Sequence, residues 1–143
     1  MNRKNVLELL LSYLGEFRYH SDLLTELSDI LQGSGCEQAF FKLLIVRLHM
    51  LSCKGKNAIT DCPDHFERLL YNGGEVFSII LKRTGQFNIR ILYSFLPNHE
   101  PVLLHAFYER SGKSKTNYST HIPVALARLE DERRDYENEP FRV

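Results

Sequence analysis

The chain changes its hydrophobic period once. Up to about residue 52, apolar residues recur every three or four positions; from Glu75 to about Thr116 they alternate with polar ones. The first period is that of an amphipathic helix, the second that of a strand. Residues 4–17 place Val6, Leu7, Leu10, Leu11 and Leu14 on one stripe, with Gly15 to end or bend the helix. A second helix starts at Ser21 or Asp22, either of which can cap it. It carries Leu23, Leu24, Leu27, Ile30 and Leu31 and stops at Gly33-Ser34-Gly35. A third spans 37–52, and Phe40, Leu43, Leu44, Val46, Leu48 and Leu51 make it apolar over a wide arc. Such a helix packs on a sheet and on a neighbouring helix at once. Residues 54–65 read as loop, and 66–71 as a turn of helix or a strand before the turn Asn72-Gly73-Gly74.

The alternating segment predicts three consecutive antiparallel strands. Its centre is FNIRILYSFL, 87–96. Successive side chains point to opposite faces, so Phe87, Ile89, Ile91, Tyr93 and Phe95 share a core face. Asn88, Arg90, Leu92, Ser94 and Leu96 share the other. Gly85 marks the hairpin before this strand, and Pro97-Asn98-His99-Glu100 the turn after it. The last helix begins between Thr116 and Ile122. Thr120 as cap leaves Pro123 in the first turn, where proline is tolerated, and Ile122, Leu126 and Leu129 face the core. The end, EDERRDYENEPFRV, reads as a polar, fraying tail. The expected fold is α+β: N-terminal helices on one face of a mainly antiparallel sheet of three to five strands, with a C-terminal helix. At 143 residues the chain fits one domain.

Composition refines this. With 43% hydrophobic and 25% charged residues the chain is globular rather than disordered. The formal net charge is zero, but residues 1–35 carry −2, 36–129 carry +5 and 130–143 carry −3. No apolar run approaches the roughly 20 residues of a membrane span. The start, MNRKNVLELLLSYLGEF, is interrupted by Glu8 and followed by no small-residue cleavage site. It reads as an amphipathic helix rather than a signal peptide, and a cytoplasmic location is expected. Cys36, Cys53 and Cys62 are odd in number and read as reduced thiols. With His49 and His65 they lack the tight C-x-x-C unit of zinc modules, so no metal is expected. P-loop, GxGxxG, serine-elbow and HExxH patterns do not occur.

Candidate chemistry centres on Arg90. A guanidinium on a strand face needs a partner, which can be a phosphate or a neighbouring carboxylate. Between residues 82 and 128 stand seven Lys and Arg (82, 83, 90, 110, 113, 115 and 128) against Glu100 and Glu109. Short loops between antiparallel strands bring these basic ends together, and a cationic groove on a sheet suits RNA or another polyanion.

These residues also carry a resemblance. VFSIILKRTGQFNIRILYSF (76–95), VLLHAF (102–107) and ERSGKSKT (109–116), in that order and spacing, resemble the RelE/HigB-type toxins of bacterial type II toxin–antitoxin pairs. The likeness is to the phage-derived, HigB-like branch. ALARLEDERRDY (125–136) resembles its last helix, and DLLTELSDILQ (22–32) with EQAFFKLLIVRLHMLSCKG (37–55) the helical hairpin before its sheet. Residues 1–20 read as a helical extension and 137–143 as a polar tail. The resemblance implies a RelE-like fold and a metal-independent, ribosome-associated mRNA endonuclease that uses the ribose 2′-OH as nucleophile. Its partners would be mRNA, the ribosome and a helix-turn-helix antitoxin, with no cofactor and no membrane. Arg90 would stabilise the transition state, with Lys82 and Lys115 as further catalytic residues; Tyr118 and His121 are added to the catalytic candidates by their position rather than by the resemblance. Arg83, Arg110 and Lys113 would bind RNA. Tyr118 and His121 lie just past the basic segment, where either can stack on a base or shuttle a proton. His105 reads as a packed residue, although the family has a histidine there. The family's Glu and Arg in the strand before the hairpin fall on Ser78 and Ile80 here, and its proline on Asn117. An alternative is therefore a non-catalytic binder on the same fold, either a gyrase-directed, ParE-like toxin or a degenerate antitoxin-binding member. A zinc-containing regulator is a third reading.

Overall fold

A computed structural model describes residues 1–110 and 118–140. The element order is α1 (Arg3–Leu14), β1 (Arg18–Tyr19), α2 (Asp22–Leu31), α3 (Glu37–Lys54), a 3-10 turn (Gly55–Asn57), α4 (Ala58–Asp61), β2 (Phe66–Tyr71), β3 (Gly74–Arg83), β4 (Phe87–Phe95), β5 (Pro101–Tyr108) and α5 (Tyr118–Glu137). The strands form one five-stranded sheet in the order β1-β5-β4-β3-β2. It is mixed: β1 runs parallel to β5, and the other neighbours are antiparallel.

Both hairpins follow from their turn residues. Asn72 and Gly73 have φ of 48° and 79° between the paired residues Tyr71 and Gly74. Positive φ at both central positions is the two-residue hairpin geometry that matches strand twist, and Asn-Gly is its preferred sequence. Gly85, at φ 79°, supplies the left-handed residue of the β3–β4 loop, closed by Gln86 N–H donating to the Arg83 carbonyl at 2.9 Å.

The sheet separates two apolar clusters. On one face Phe66, Phe77, Ile79, Leu81, Phe87, Ile89, Ile91 and Tyr93 pack with Val6, Leu10 and Leu14 of α1, Leu23 and Leu27 of α2, and Phe40, Leu44 and Leu51 of α3. On the other, Ile122, Ala125 and Leu129 of α5 pack on Val76, Leu92, Leu96, Val102, Leu104 and Phe107. Gly74 lets α5 approach, since a Cβ there would stand 2.7 Å from Leu126 Cδ1.

Several expectations are corrected. α1 ends at Leu14, because residues 15–17 turn the chain into β1, with Phe17 N–H donating to the Leu14 carbonyl at 2.8 Å. The stretch expected as loop, 54–65, contains the 3-10 turn and α4. α5 starts at Tyr118, so Thr120 lies inside the helix and Pro123 in its second turn. The polar end is tied down rather than frayed. Arg18 on β1 donates to Glu132 at 3.2 Å and to Glu139 at 2.5 Å, and its guanidinium lies 6.0 Å from the centre of the Tyr136 ring. No helix among the described residues is long and apolar enough to cross a membrane.

One irregularity sets the site. Leu92 pairs with His105 but Tyr93 pairs with Leu103, so Leu104 is an extra residue in β5. A bulge of this kind re-aims side chains. Leu103 stays in the helix-side core, whereas His105 shares the α5 face with Leu92 and Phe107.

Candidate functional site

The face under α5 is apolar at one end and polar at the other. Strand register builds the polar end in rows. Glu67 pairs with Ser78, Ser78 with Leu92, and Leu92 with His105. One step along, Ile80 pairs with Arg90 and Arg90 with Phe107; then Lys82 pairs with Asn88. Asn88's carbonyl accepts the Glu109 N–H at 2.8 Å.

Arg90 occupies the middle of this field. Its Nη1 donates to Asn88 Oδ1, while its Nε is buried with no partner among the described residues. Ser78 Oγ on the same face is likewise buried and unpartnered, and the residue is 1% exposed. Unsatisfied buried polar groups are expensive and therefore few. Glu67 faces Arg90. Burial pushes its carboxyl above the usual range, the Arg90 charge pulls it back, and Glu109 pushes it up again.

The start of α5 closes the field over Phe107. Tyr118 meets the Phe107 ring edge-on at 5.6 Å and donates its O–H to Glu109 Oε2 at 2.5 Å. Burial, and then that bond to a carboxylate, push the Tyr118 phenol upward, so it is held protonated. His121 stacks on the same ring, with 3.9 Å between centroids and 8° between planes. Burial, and then the neighbouring His105, lower its pKa, which favours the neutral imidazole.

Behind His121 lies a hydrogen-bonded line. His105 Nε2 is 2.8 Å from His121 Nδ1, and His105 Nδ1 is 2.7 Å from Glu26 Oε2. Glu26 Oε1 accepts from the Ala106 backbone N–H at 3.1 Å and from Arg128 Nη1 at 2.8 Å. Arg128 also donates to the Leu104 carbonyl at 2.9 Å. Glu26 thus satisfies the β5 edge just past the point where β1 pairing ends at Leu103.

Beside the field, a groove of about 500 Å³ runs between the β3–β4 hairpin and the end of β5. Lys82, Arg83, Asn88, Glu109 and Arg110 line it. The structure therefore brings Lys82, Arg83 and Arg110 together and sets Arg90 next to them through Asn88. Tyr118 joins the groove through Glu109, and His121 lies over Phe107, the β5 residue paired with Arg90. Lys113 and Lys115 lie outside the described residues. The charge reading needs amending: Arg128, one of the seven basic residues, is committed to Glu26, and Glu67 and Glu109 share the field with Arg90. The site is mixed in charge rather than uniformly cationic.

Sequence reasoning missed Glu67, Glu26 and the polar role of His105, and gave Asn88 and Glu109 a place but no role. Glu67 fell outside the window in which charge was counted, and Asn88, two residues from Arg90 on its own strand, was the one legible signal. His105 is packed as expected, 7% exposed, but it is also bonded through both ring nitrogens.

Comparison with known proteins returns no match to any family model, curated protein or solved structure.

Proposed function

We propose that the protein is the toxin of a type II toxin–antitoxin pair and cleaves mRNA on the ribosome without a metal, using the ribose 2′-OH as nucleophile. One observation carries this reading: Arg90, whose buried Nε has no partner among the described residues, lies beside a groove lined by Lys82, Arg83 and Arg110 and near the pair Tyr118 and His121. Such cleavage needs a base for the hydroxyl, an acid for the leaving 5′-oxygen and cations for the charge gathering on phosphorus. Arg90 serves the last of these, and Lys82, Arg83 and Arg110 hold the flanking phosphates. His121 and Tyr118 are the candidates for proton transfer. The order of elements, helices α2 and α3 ahead of β2–β5 and then α5, agrees with a RelE-like scaffold. A helix-turn-helix antitoxin is the implied partner.

Induced expression of the chain without an antitoxin should arrest growth, and primer extension on cellular mRNA should show new 5′ ends within codons. Normal growth at high protein levels would defeat the proposal. A second reading, a binder without cleavage, draws on Ser78, buried and without a partner among the described residues where the family carries a charged residue. Growth arrest with intact mRNA and inhibited supercoiling would favour that gyrase-directed alternative.

A further inference from the structure

We propose that Glu26, His105 and His121 form a proton-relay line that presents His121 Nε2 to the substrate as the general base, with Glu26 and His105 as positioning residues. The inference rests on the nuclease reading above and goes beyond it by assigning the base and the groups that hold it.

The tautomers follow from acceptor chemistry. Burial alone would push the Glu26 carboxyl upward, but hydrogen bonds from His105, Arg128 and the Ala106 N–H outweigh it and lower its pKa, so Glu26 is ionised and can only accept. The 2.7 Å contact therefore requires a proton on His105 Nδ1. Arg128 Nη1, at 3.3 Å from that nitrogen, sits beside the bond and spends its hydrogens on Glu26 and the Leu104 carbonyl. A His105 protonated only on Nδ1 has a lone pair on Nε2, which accepts the Nδ1–H of His121 at 2.8 Å. His121 is left with its lone pair on Nε2, the nitrogen directed away from His105. The Phe107 ring, stacked beneath at 3.9 Å, fixes the plane of the imidazole.

Among the described residues, the charged and titratable groups around His121 include His105 and Glu109 on β5, Glu26 on α2, and Tyr118 and Arg128 on its own helix. Arg90 on β4 and Glu67 on β2 share the field across Phe107. In the step, the 2′-oxygen attacks phosphorus, the P–O5′ bond breaks, and the 2′ proton passes to His121 Nε2. The leaving O5′ takes a proton from water. The products are a 2′,3′-cyclic phosphate and a 5′-OH, and the new imidazolium is stabilised through His105 by the Glu26 carboxylate. A positioned general base contributes about 10²–10⁴ in rate.

Two measurements separate this proposal from the reading it rests on. Long-range ¹H–¹⁵N spectra of the full chain near neutral pH should show both His105 and His121 protonated on Nδ1; a proton on His121 Nε2 would overturn the relay. In the second, cleavage of ribosome-bound mRNA is followed against pH for the wild type, His121→Ala and Glu26→Gln. His121→Ala should lose about 10²–10⁴. Glu26→Gln keeps the side chain's shape but removes the anion that raises the His121 pKa. Its acid limb should therefore move to lower pH and its plateau should fall. A Glu26→Gln profile that lies on the wild-type curve, with only a lower melting temperature, would make the line structural and sink the proposal. A wild type that cleaves nothing, yet shows the expected tautomers, would sink the nuclease reading instead.

Discussion

The two faces of the β4 strand differ in kind although they alternate along the same nine residues. The face toward α1, α2 and α3 is apolar from end to end: Phe87, Ile89, Ile91, Tyr93 and Phe95, continued by Phe77, Ile79 and Leu81 on β3. The face toward α5 is divided. Leu92 and Leu96 belong to the α5 core, while Asn88 and Arg90 lie in the polar field beside the Lys82, Arg83 and Arg110 groove. Three helices cover the first face and leave Phe77 and Phe95 slightly exposed, 7% each. Among the described residues, one helix, α5, packs on the second. Among the described residues, the buried side-chain atoms without a partner are Ser78 Oγ and Arg90 Nε on the second face and Ser28 Oγ on α2. The helix-side core and the candidate site thus lie on opposite sides of one strand.

The contrast breaks most sharply in the helix-side core. Phe40 is fully buried and meets Phe41 and Phe87, each at 5.9 Å between ring centroids. Phe40→Ala should cost about 3–5 kcal/mol of stability, read as a lower urea midpoint at unchanged slope. A loss below about 1 kcal/mol would mean that this face is not the stabilising one.

On the other face Arg90→Ala should do the reverse. Cleavage should fall by about 10²–10³, the effect of removing one preorganised transition-state donor, while the melting temperature holds. Arg90→Lys should also be poor, because a point charge does not replace a planar fork. If instead Arg90→Ala lowered the melting temperature and activity fell only with the lost protein, Arg90 would be a structural cation paired with Glu67 and Asn88.

The edge between the faces has a pH signature. Glu26 is held below its ordinary value of 4.5 in the folded protein. A carboxylate of depressed pKa contributes stability above its unfolded pKa, and that contribution is lost as pH falls through the folded one. Thermal melts of the wild type should therefore weaken below about pH 4.5 more steeply than those of Glu26→Gln. Parallel curves would remove the charge-assisted role of the Glu26 bonds.

Lys82→Ala should have the smallest effect. The residue is exposed, so stability should change by no more than about 0.5 kcal/mol. RNA affinity should weaken uniformly across sequences, with the salt slope reduced by about 1. An unchanged slope would place the phosphate path away from this groove.

The sequence by itself determined the elements and the faces. Alternation placed Ile89, Ile91 and Tyr93 together against the helices, and the glycine pair at 33 and 35, Asn72-Gly73 and Gly85 marked turns whose backbone the structure bears out. These features are local: period and positive φ depend on residues within one turn of each other, whereas the cap expected of Ser21 is absent, its side chain making no capping bond to the α2 backbone. The strand at 66–71 stayed ambiguous because six residues carry too little periodicity to separate strand from helix. Arg90, Lys82, Arg83 and Arg110 were legible as candidates because charge on an alternating strand stands out. What surrounds them was decided by tertiary structure. Glu26 and His105 are 79 residues apart and meet only because α2 covers the β5 edge. His105 and Leu103 would share a face by alternation, but the bulge at Leu104 sends them to opposite sides. Arg18 and Glu139 turn an expected tail into a fastened helix end across 121 residues. Contacts of that separation leave no trace in a local pattern, because register, bulge and helix docking follow from how whole elements bury surface against one another.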